Sequence, residues 1–163
     1  MEVIIRSAIE SDKEIFIDFA VKLSDYNRAN HYSECKYDNY EFVIDSIQRK
    51  AQETFHNRNE QIAIFIAELE GKPVGYALGR IFEEEVMADN GTGRMGLFDE
   101  LFVDTVARGL GVGQKLIDKT ISWMKEMGIN RIKLHAYSWN NQAKRLYEKN
   151  GFREYAISYE IFM

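Results

Sequence analysis

The chain has 163 residues, 45% of them hydrophobic and 29% charged, with a formal net charge of -5. That length suits one domain with a full core, 1–163, rather than two ordinary ones. An acidic balance argues against a general nucleic-acid binder, and no run of about 18 apolar residues is present to span a bilayer.

The first residues, 2–6, alternate weakly as a short strand and show neither the basic region nor the apolar core of a signal peptide, so export is not expected. The lone Cys35 permits no internal disulfide, and a reducing, cytoplasmic setting is the expectation. Ser11 and Glu14 have the spacing of a capping box. Ile15, Phe16, Phe19, Ala20 and Leu23 follow at helical intervals, which predicts a helix to about residue 23. Residues 25–37 are polar, carry Tyr26, Tyr32 and Tyr37, and read as a loop. Asp38 and Glu41 repeat the capping pattern before a second helix with Ile44, Ile47, Ala51 and Phe55 on one face.

Residues 62–69 and 74–82 are β-branched and aromatic runs joined by a turn with Gly71 and Pro73, as in an antiparallel hairpin. A polar loop, 87–94, leads to an apolar strand, 97–103. The next helix shows Val112, Leu116, Ile117, Thr120, Ile121 and Met124 on one face and stops at Gly128. A strand over 131–137 follows, then a short helix capped by Asn140 or Asn141 that carries Ala143, Leu146 and Tyr147, and a last strand over 156–162. The order predicts a mixed α/β fold: a mostly antiparallel sheet with helices on both faces.

The most informative stretch joins the 97–103 strand to the helix after it: Arg108-Gly109-Leu110-Gly111-Val112-Gly113. A strand that empties into glycines at a helix start gathers unpaired N–H groups at the positive end of the helix dipole, and this suits a phosphate. Arg108 adds a guanidinium fork. The same residues also occur as a plain tight turn between strand and helix. A nucleoside triphosphatase is unlike this pattern, because Gly113 is followed by Gln114-Lys115-Leu116 and no Ser or Thr is placed for magnesium. A dinucleotide site is unlike it too, since Gln114 stands where the third fingerprint glycine belongs.

The segment resembles the pyrophosphate motif of the GCN5-related N-acetyltransferases: Arg or Gln, two residues, Gly, one residue, then Gly or Ala. A second stretch, Asn140-Asn-Gln-Ala143-Lys-Arg-Leu146-Tyr147 with Gly151-Phe152 after it, resembles that family's other signature. The resemblance implies the acetyltransferase fold, acetyl-CoA as cosubstrate, and transfer of its acetyl group to a primary amine by direct attack in a ternary complex. It places the cofactor on Leu101, Phe102, Val103, Arg108, Gly109, Leu110, Gly111, Val112 and Gly113, with Asn140, Ala143 and Tyr147. Tyr147 is the implied acid for the departing thiolate. Asp99 or Glu100, with Glu100 slightly favoured, is the implied base. Successive strand residues face opposite sides, so only one of these carboxylates can point at a substrate unless a bulge intervenes.

His31 and Cys35 lie four apart without a partner pair, so no metal site is expected. Glu83, Glu84, Glu85, Asp89, Asp99 and Glu100 form an acidic run that reads either as solvated surface or as the border of a cleft for a small cationic amine. The expected partner is thus a small molecule, with no nucleic acid and no membrane; a homodimer stays open. A non-catalytic acyl-CoA-binding or regulatory module, or an acetyltransferase acting on protein N-termini or lysines, are the alternatives.

Overall fold

The computed structural model describes residues 2–32, 39–84 and 93–163. These form strands β1 (Val3–Ser7), β2 (Ile62–Leu69), β3 (Lys72–Glu84), β4 (Gly93–Val103) and β5 (Ile132–Leu134), and helices α1 (Lys13–Asn30), α2 (Tyr40–His56), α3 (Val112–Glu126) and α4 (Asn141–Lys149). The sheet order is β1-β2-β3-β4-β5. All neighbours are antiparallel except β4 and β5, which are parallel.

Helices cover both faces, as the sequence pattern predicts. On one face, Phe16 and Phe19 of α1 and Phe55 of α2 pack on Ile64, Ile66, Tyr76, Leu78 and Phe102. On the other, Val112, Leu116 and Ile117 of α3 meet Phe65, Ala77 and Phe98, with Leu146 and Tyr147 of α4 at the margin. Gly79 lets α3 sit close to the sheet: a Cβ there would lie 2.8 Å from the Trp123 ring. Truncating a fully buried ring such as Phe55 to Ala would cost about 3–5 kcal/mol.

Several local expectations are revised. The helix expected to stop near residue 23 continues to Asn30, so Tyr26 is helical. Its start uses no Ser11–Glu14 box; instead Asp12 accepts from the Ile9 N–H at 2.8 Å and takes a two-pronged bond from Arg6 at 2.6 and 2.9 Å. A buried carboxylate satisfied by a guanidinium fork outweighs a solvent-exposed cap. Asn39 caps α2 by accepting from Phe42 N–H, while Asp38 lies outside the described residues, as do Cys35, Tyr37, Glu85 and Asp89. Asn140, not Asn141, caps α4, and Gly128, with φ +79°, follows the last turn of α3 as expected.

The strand expected over 131–137 is only Ile132–Leu134, and the loop expected over 87–94 gives way to strand by Gly93. The strand expected over 156–162 does not form: residues 152–163 join no ladder, and Ile157, Tyr159 and Ile161 are exposed. Alternation alone does not make a strand. It needs a partner edge, and β5 offers just three residues.

Candidate active site

The site begins with an irregularity in the β3–β4 ladder. Leu78 is opposite Glu100 and Gly79 is opposite Phe98, so Asp99 is an extra residue without a counterpart, a β-bulge. The bulge reverses the alternation of β4. Phe98 faces α3, Leu101 faces it again, and Phe102 returns to the α1/α2 side. Between them Asp99 meets Arg80 and Glu100 meets Tyr76, so both carboxylates turn toward α1 and α2. The bulge that would allow two adjacent acids onto one face is therefore present.

Their surroundings differ. Asp99 is exposed, and its carboxylate accepts from Arg80 Nε at 2.6 Å; the same guanidinium donates to Thr54 of α2 at 3.1 Å. Glu100 is partly enclosed, and its Oε2 accepts from the Tyr76 hydroxyl at 2.5 Å. Burial pushes the Glu100 carboxyl above the usual carboxylate range. Asp99 adds to that, while the Tyr76 hydrogen bond and the charge of Arg80 oppose it. Glu100 Oε1 takes no hydrogen bond among the described residues. Since no side-chain oxygen there is both buried and unpaired, Oε1 reaches solvent.

The bulge also marks the start of a fork. β4 and β5 pair only from Gly96 with Ile132 to Phe98 with Leu134. Beyond Phe98 the pairing stops because β5 ends at Leu134, and the edge of β4 over 99–103 has no partner strand on that side among the described residues. On that edge Leu101 and the Val103 N–H can meet an extended ligand in the manner of an added strand, whereas Phe102 turns its carbonyl toward β3 and the Val103 carbonyl accepts from Arg108. Tyr147 of α4 stands at the apex, its ring edge-on to Phe98 with centroids 6.2 Å apart and edge-on to Phe152 at 6.1 Å. Burial pushes its phenol up to about 12, so it stays an O–H donor at neutral pH. By the same reasoning as for Glu100 Oε1, its hydroxyl oxygen is open.

At the far end of β4 lies the glycine turn. Gly109 and Gly111 both have φ +78°, and a Cβ on either would meet nothing within 4 Å, so their backbone faces open space. Gly111 is the residue before the first turn of α3, whose leading N–H groups point outward beside it. Gly113 instead faces Leu146 of α4 at 3.4 Å. Leu110 is exposed and Val112 is buried. Arg108 donates from Nε to the Val103 carbonyl at 3.1 Å and lies 5.1 Å from the Tyr26 ring, which holds its guanidinium between the end of β4 and α1. Asn140 spends its side-chain oxygen on the Ala143 N–H, so its visible work is to start α4.

Reading the sequence missed several participants. Tyr76 and Arg80 looked like ordinary strand residues, yet they hold the two carboxylates. Trp139 donates to His31 Nδ1 at 3.1 Å, and with Tyr26 and Tyr137 it ties the end of α1 to the segment between β5 and α4. His31, weighed as a metal ligand, is engaged there instead. Gln114 and Asn150 exchange amide hydrogen bonds of 2.6 and 3.0 Å, which lock α4 against α3. The acidic run is less bare than its sequence suggests, because Glu84 pairs with Lys133 at 2.7 Å as Asp99 does with Arg80.

An unpaired stretch of β4 beyond a parallel neighbour, a glycine turn at a helix start and a phenol beside Phe98 thus lie along one chain segment and its surroundings. The acetyltransferase (GNAT) family model matches residues 23–152, and the chain belongs to that family. It is 36% identical over 85 residues to the spermine/spermidine N(1)-acetyltransferase of Bacillus subtilis, covering 52% of this chain and 55% of that protein. It is 30% identical over 103 residues to an uncharacterized N-acetyltransferase of Methanocaldococcus jannaschii, covering 60% of this chain and 42% of that protein. The chain thus spans about half the length of these relatives or less. Among solved structures, a predicted acetyltransferase with acetyl-CoA from Clostridium acetobutylicum shares the fold at TM-score 0.72 and 19% identity, covering 99% of this chain and 96% of that one. GNAT acetyltransferases use acetyl-CoA, and the turn fits its diphosphate: bare N–H groups and a helix dipole end meet where side chains are absent, with Arg108 next to the turn in the chain.

Proposed function

We propose that residues 1–163 act as one N-acetyltransferase domain that moves an acetyl group from acetyl-CoA to a primary amine of a small cationic acceptor. The observation that carries this reading is the solvent-reaching Oε1 of Glu100, presented by the bulge at the point where β4 and β5 part. An alkylammonium has a pKa near about 10 and is mostly charged at neutral pH, so it must lose a proton before it attacks. Glu100 takes that proton. The amine nitrogen then bonds to the thioester carbon, and an N–H of the 101–103 edge steadies the developing oxyanion. As the C–S bond breaks, the thiolate receives a proton from Tyr147; the second proton that the nitrogen sheds on becoming an amide restores the phenol through water, and Glu100 passes the first to solvent. Arg108 and the backbone from Gly109 to Gly113 hold the diphosphate, and Leu101, Phe102 and Val103 align the pantetheine arm.

Asp99 serves as counter-ion to Arg80 and as part of the acidic margin. A surface depression lined by Gln61, Ile62, Arg80, Ile81, Phe82 and Leu97 adjoins it and gives the methylenes of an acceptor an apolar floor. The two carboxylates on one face support a cationic acceptor, as does the similarity to a spermine/spermidine acetyltransferase. Thiol release from acetyl-CoA over an amine panel tests the reading, with Glu100→Gln and Asp99→Asn in parallel. Glu100→Gln is expected to lower kcat/KM for a diamine by about 100-fold or more, and Asp99→Asn by about 10-fold or less. The diamine is preferred over a neutral amino-acid amide, a preference that shrinks with salt. Absence of release with every amine of the panel would favour a non-catalytic acyl-CoA-binding module, and the reverse order of the two variants would make Asp99 the base.

A further inference from the structure

Tyr76 is a phenol where the packing calls for a phenylalanine. It is fully buried, at 0% exposure, in the centre of β3. Phe16 meets its ring edge-on at 5.0 Å, Phe19 lies parallel to it at 6.4 Å, and Phe102 is tilted against it at 6.3 Å. Nothing in that aromatic box uses the hydroxyl except Glu100. A buried hydroxyl and a partly enclosed carboxylate each lose hydration, and an apolar pair of the same shape is commonly as stable or more so. Packing therefore does not account for the pair.

The geometry gives the pair a use. Tyr76 occupies Oε2 of Glu100, which fixes the carboxylate's rotation and turns Oε1 toward solvent. The donor is dependable, since burial and the adjacent carboxylate hold the phenol well above its usual range and it remains O–H wherever the enzyme works. The charged groups facing Glu100 are Asp99 beside it on β4, which disfavours its ionisation, and Arg80 on β3, which favours it. From α1 come the uncharged Phe16 and Phe19, while the Lys22 ammonium pairs with Asp18 at 2.9 Å and with Asp104 at 3.7 Å. From α2, Thr54 reaches Arg80 and not the carboxylate.

We propose that Tyr76 is a positioning residue of the reaction, holding Glu100 ionised and aimed at the incoming amine. This rests on the assignment of Glu100 as the base. Without the phenol, an enclosed carboxylate would take up a proton nearer neutrality and idle part of the enzyme. With it, Glu100 stays anionic yet more basic than a surface carboxylate.

The experiment is a carboxyl-carbon NMR titration of Glu100 in the parent and in Tyr76→Phe, beside kcat/KM against pH for a diamine. Loss of the phenol O–H is expected to raise the Glu100 titration by about 1–2 pH units, the size of a hydrogen bond to a charged acceptor. The acidic limb of kcat/KM should move up with it while KM for acetyl-CoA stays constant. An unmoved titration overturns the role of Tyr76 and leaves Glu100 as base intact. A titration that moves without the limb overturns Glu100 as base, and the part of Tyr76 with it. Should Tyr76→Phe fail to fold, 3-fluorotyrosine placed at position 76 keeps the shape and donates more strongly. Glu100 must then titrate at lower pH, and no change would again overturn the proposal.

Discussion

Replacing Gly111 by Glu tests the anion cradle most directly. Gly111 has φ +78° and open space where a Cβ would be, so nothing in the protein clashes with the new side chain. The left-handed backbone alone costs the folded state about 1–2 kcal/mol. The effect on coenzyme A is separate and electrostatic. A carboxylate about 6 Å from each of two diphosphate charges, at an effective dielectric of about 40, repels them by about 1.4 kcal/mol apiece. The sum, about 3 kcal/mol, is roughly a 100-fold rise in Kd. Gly128→Glu is the control: it adds the same charge to a backbone with φ +79°, also facing open space, at the other end of α3. At about 1.5 Å per residue, the 15 residues of α3 put it about 22 Å away. Calorimetry of coenzyme A binding at low and high salt should show a large loss for Gly111→Glu, part of it screened by salt, and little change for Gly128→Glu. Equal affinity for Gly111→Glu and the parent, or equal losses for both variants, would refute the cradle.

Tyr147→Phe should lower kcat by about 10- to 10,000-fold and leave coenzyme A affinity nearly unchanged, as single-turnover kinetics and calorimetry would show. With its phenol at about 12, Tyr147 should cause no alkaline fall in the parent's kcat below about pH 10. Asp12→Asn should destabilise the fold at pH 7 by about 1–3 kcal/mol, because the Arg6 fork loses its charged partner. The guanidinium holds the Asp12 carboxyl below its usual range, so its stabilisation is present above the ordinary value of about 3.9 and is lost as pH falls through the lower folded one. Urea unfolding at pH 7 and pH 3 should therefore show the gap between parent and variant narrowing in acid, and a constant gap would exclude the linkage.

What the sequence by itself determined is what depends on neighbours along the chain. The glycine turn over Arg108 to Gly113 is legible because it is a local device: consecutive N–H groups are left bare wherever a helix begins. The cap at Gly128, a start of α4 at Asn140 or Asn141 and the amphipathic faces of α2 and α3 are local in the same sense. The faces of Asp99 and Glu100 were decided only by tertiary structure. Alternation tells inside from outside while its phase is unbroken, and one extra residue at Asp99, set by the pairing of β4 against β3, reverses it with no sign in the neighbouring residues. Tyr76 became a partner of Glu100 only across that same register. The last turns of α1 depend on Tyr26 and His31 meeting Trp139, a residue 108 positions beyond His31. The alternating residues near the C-terminus formed no strand because hydrogen bonding between strands is a property of pairs, and the pattern of one segment does not supply its partner.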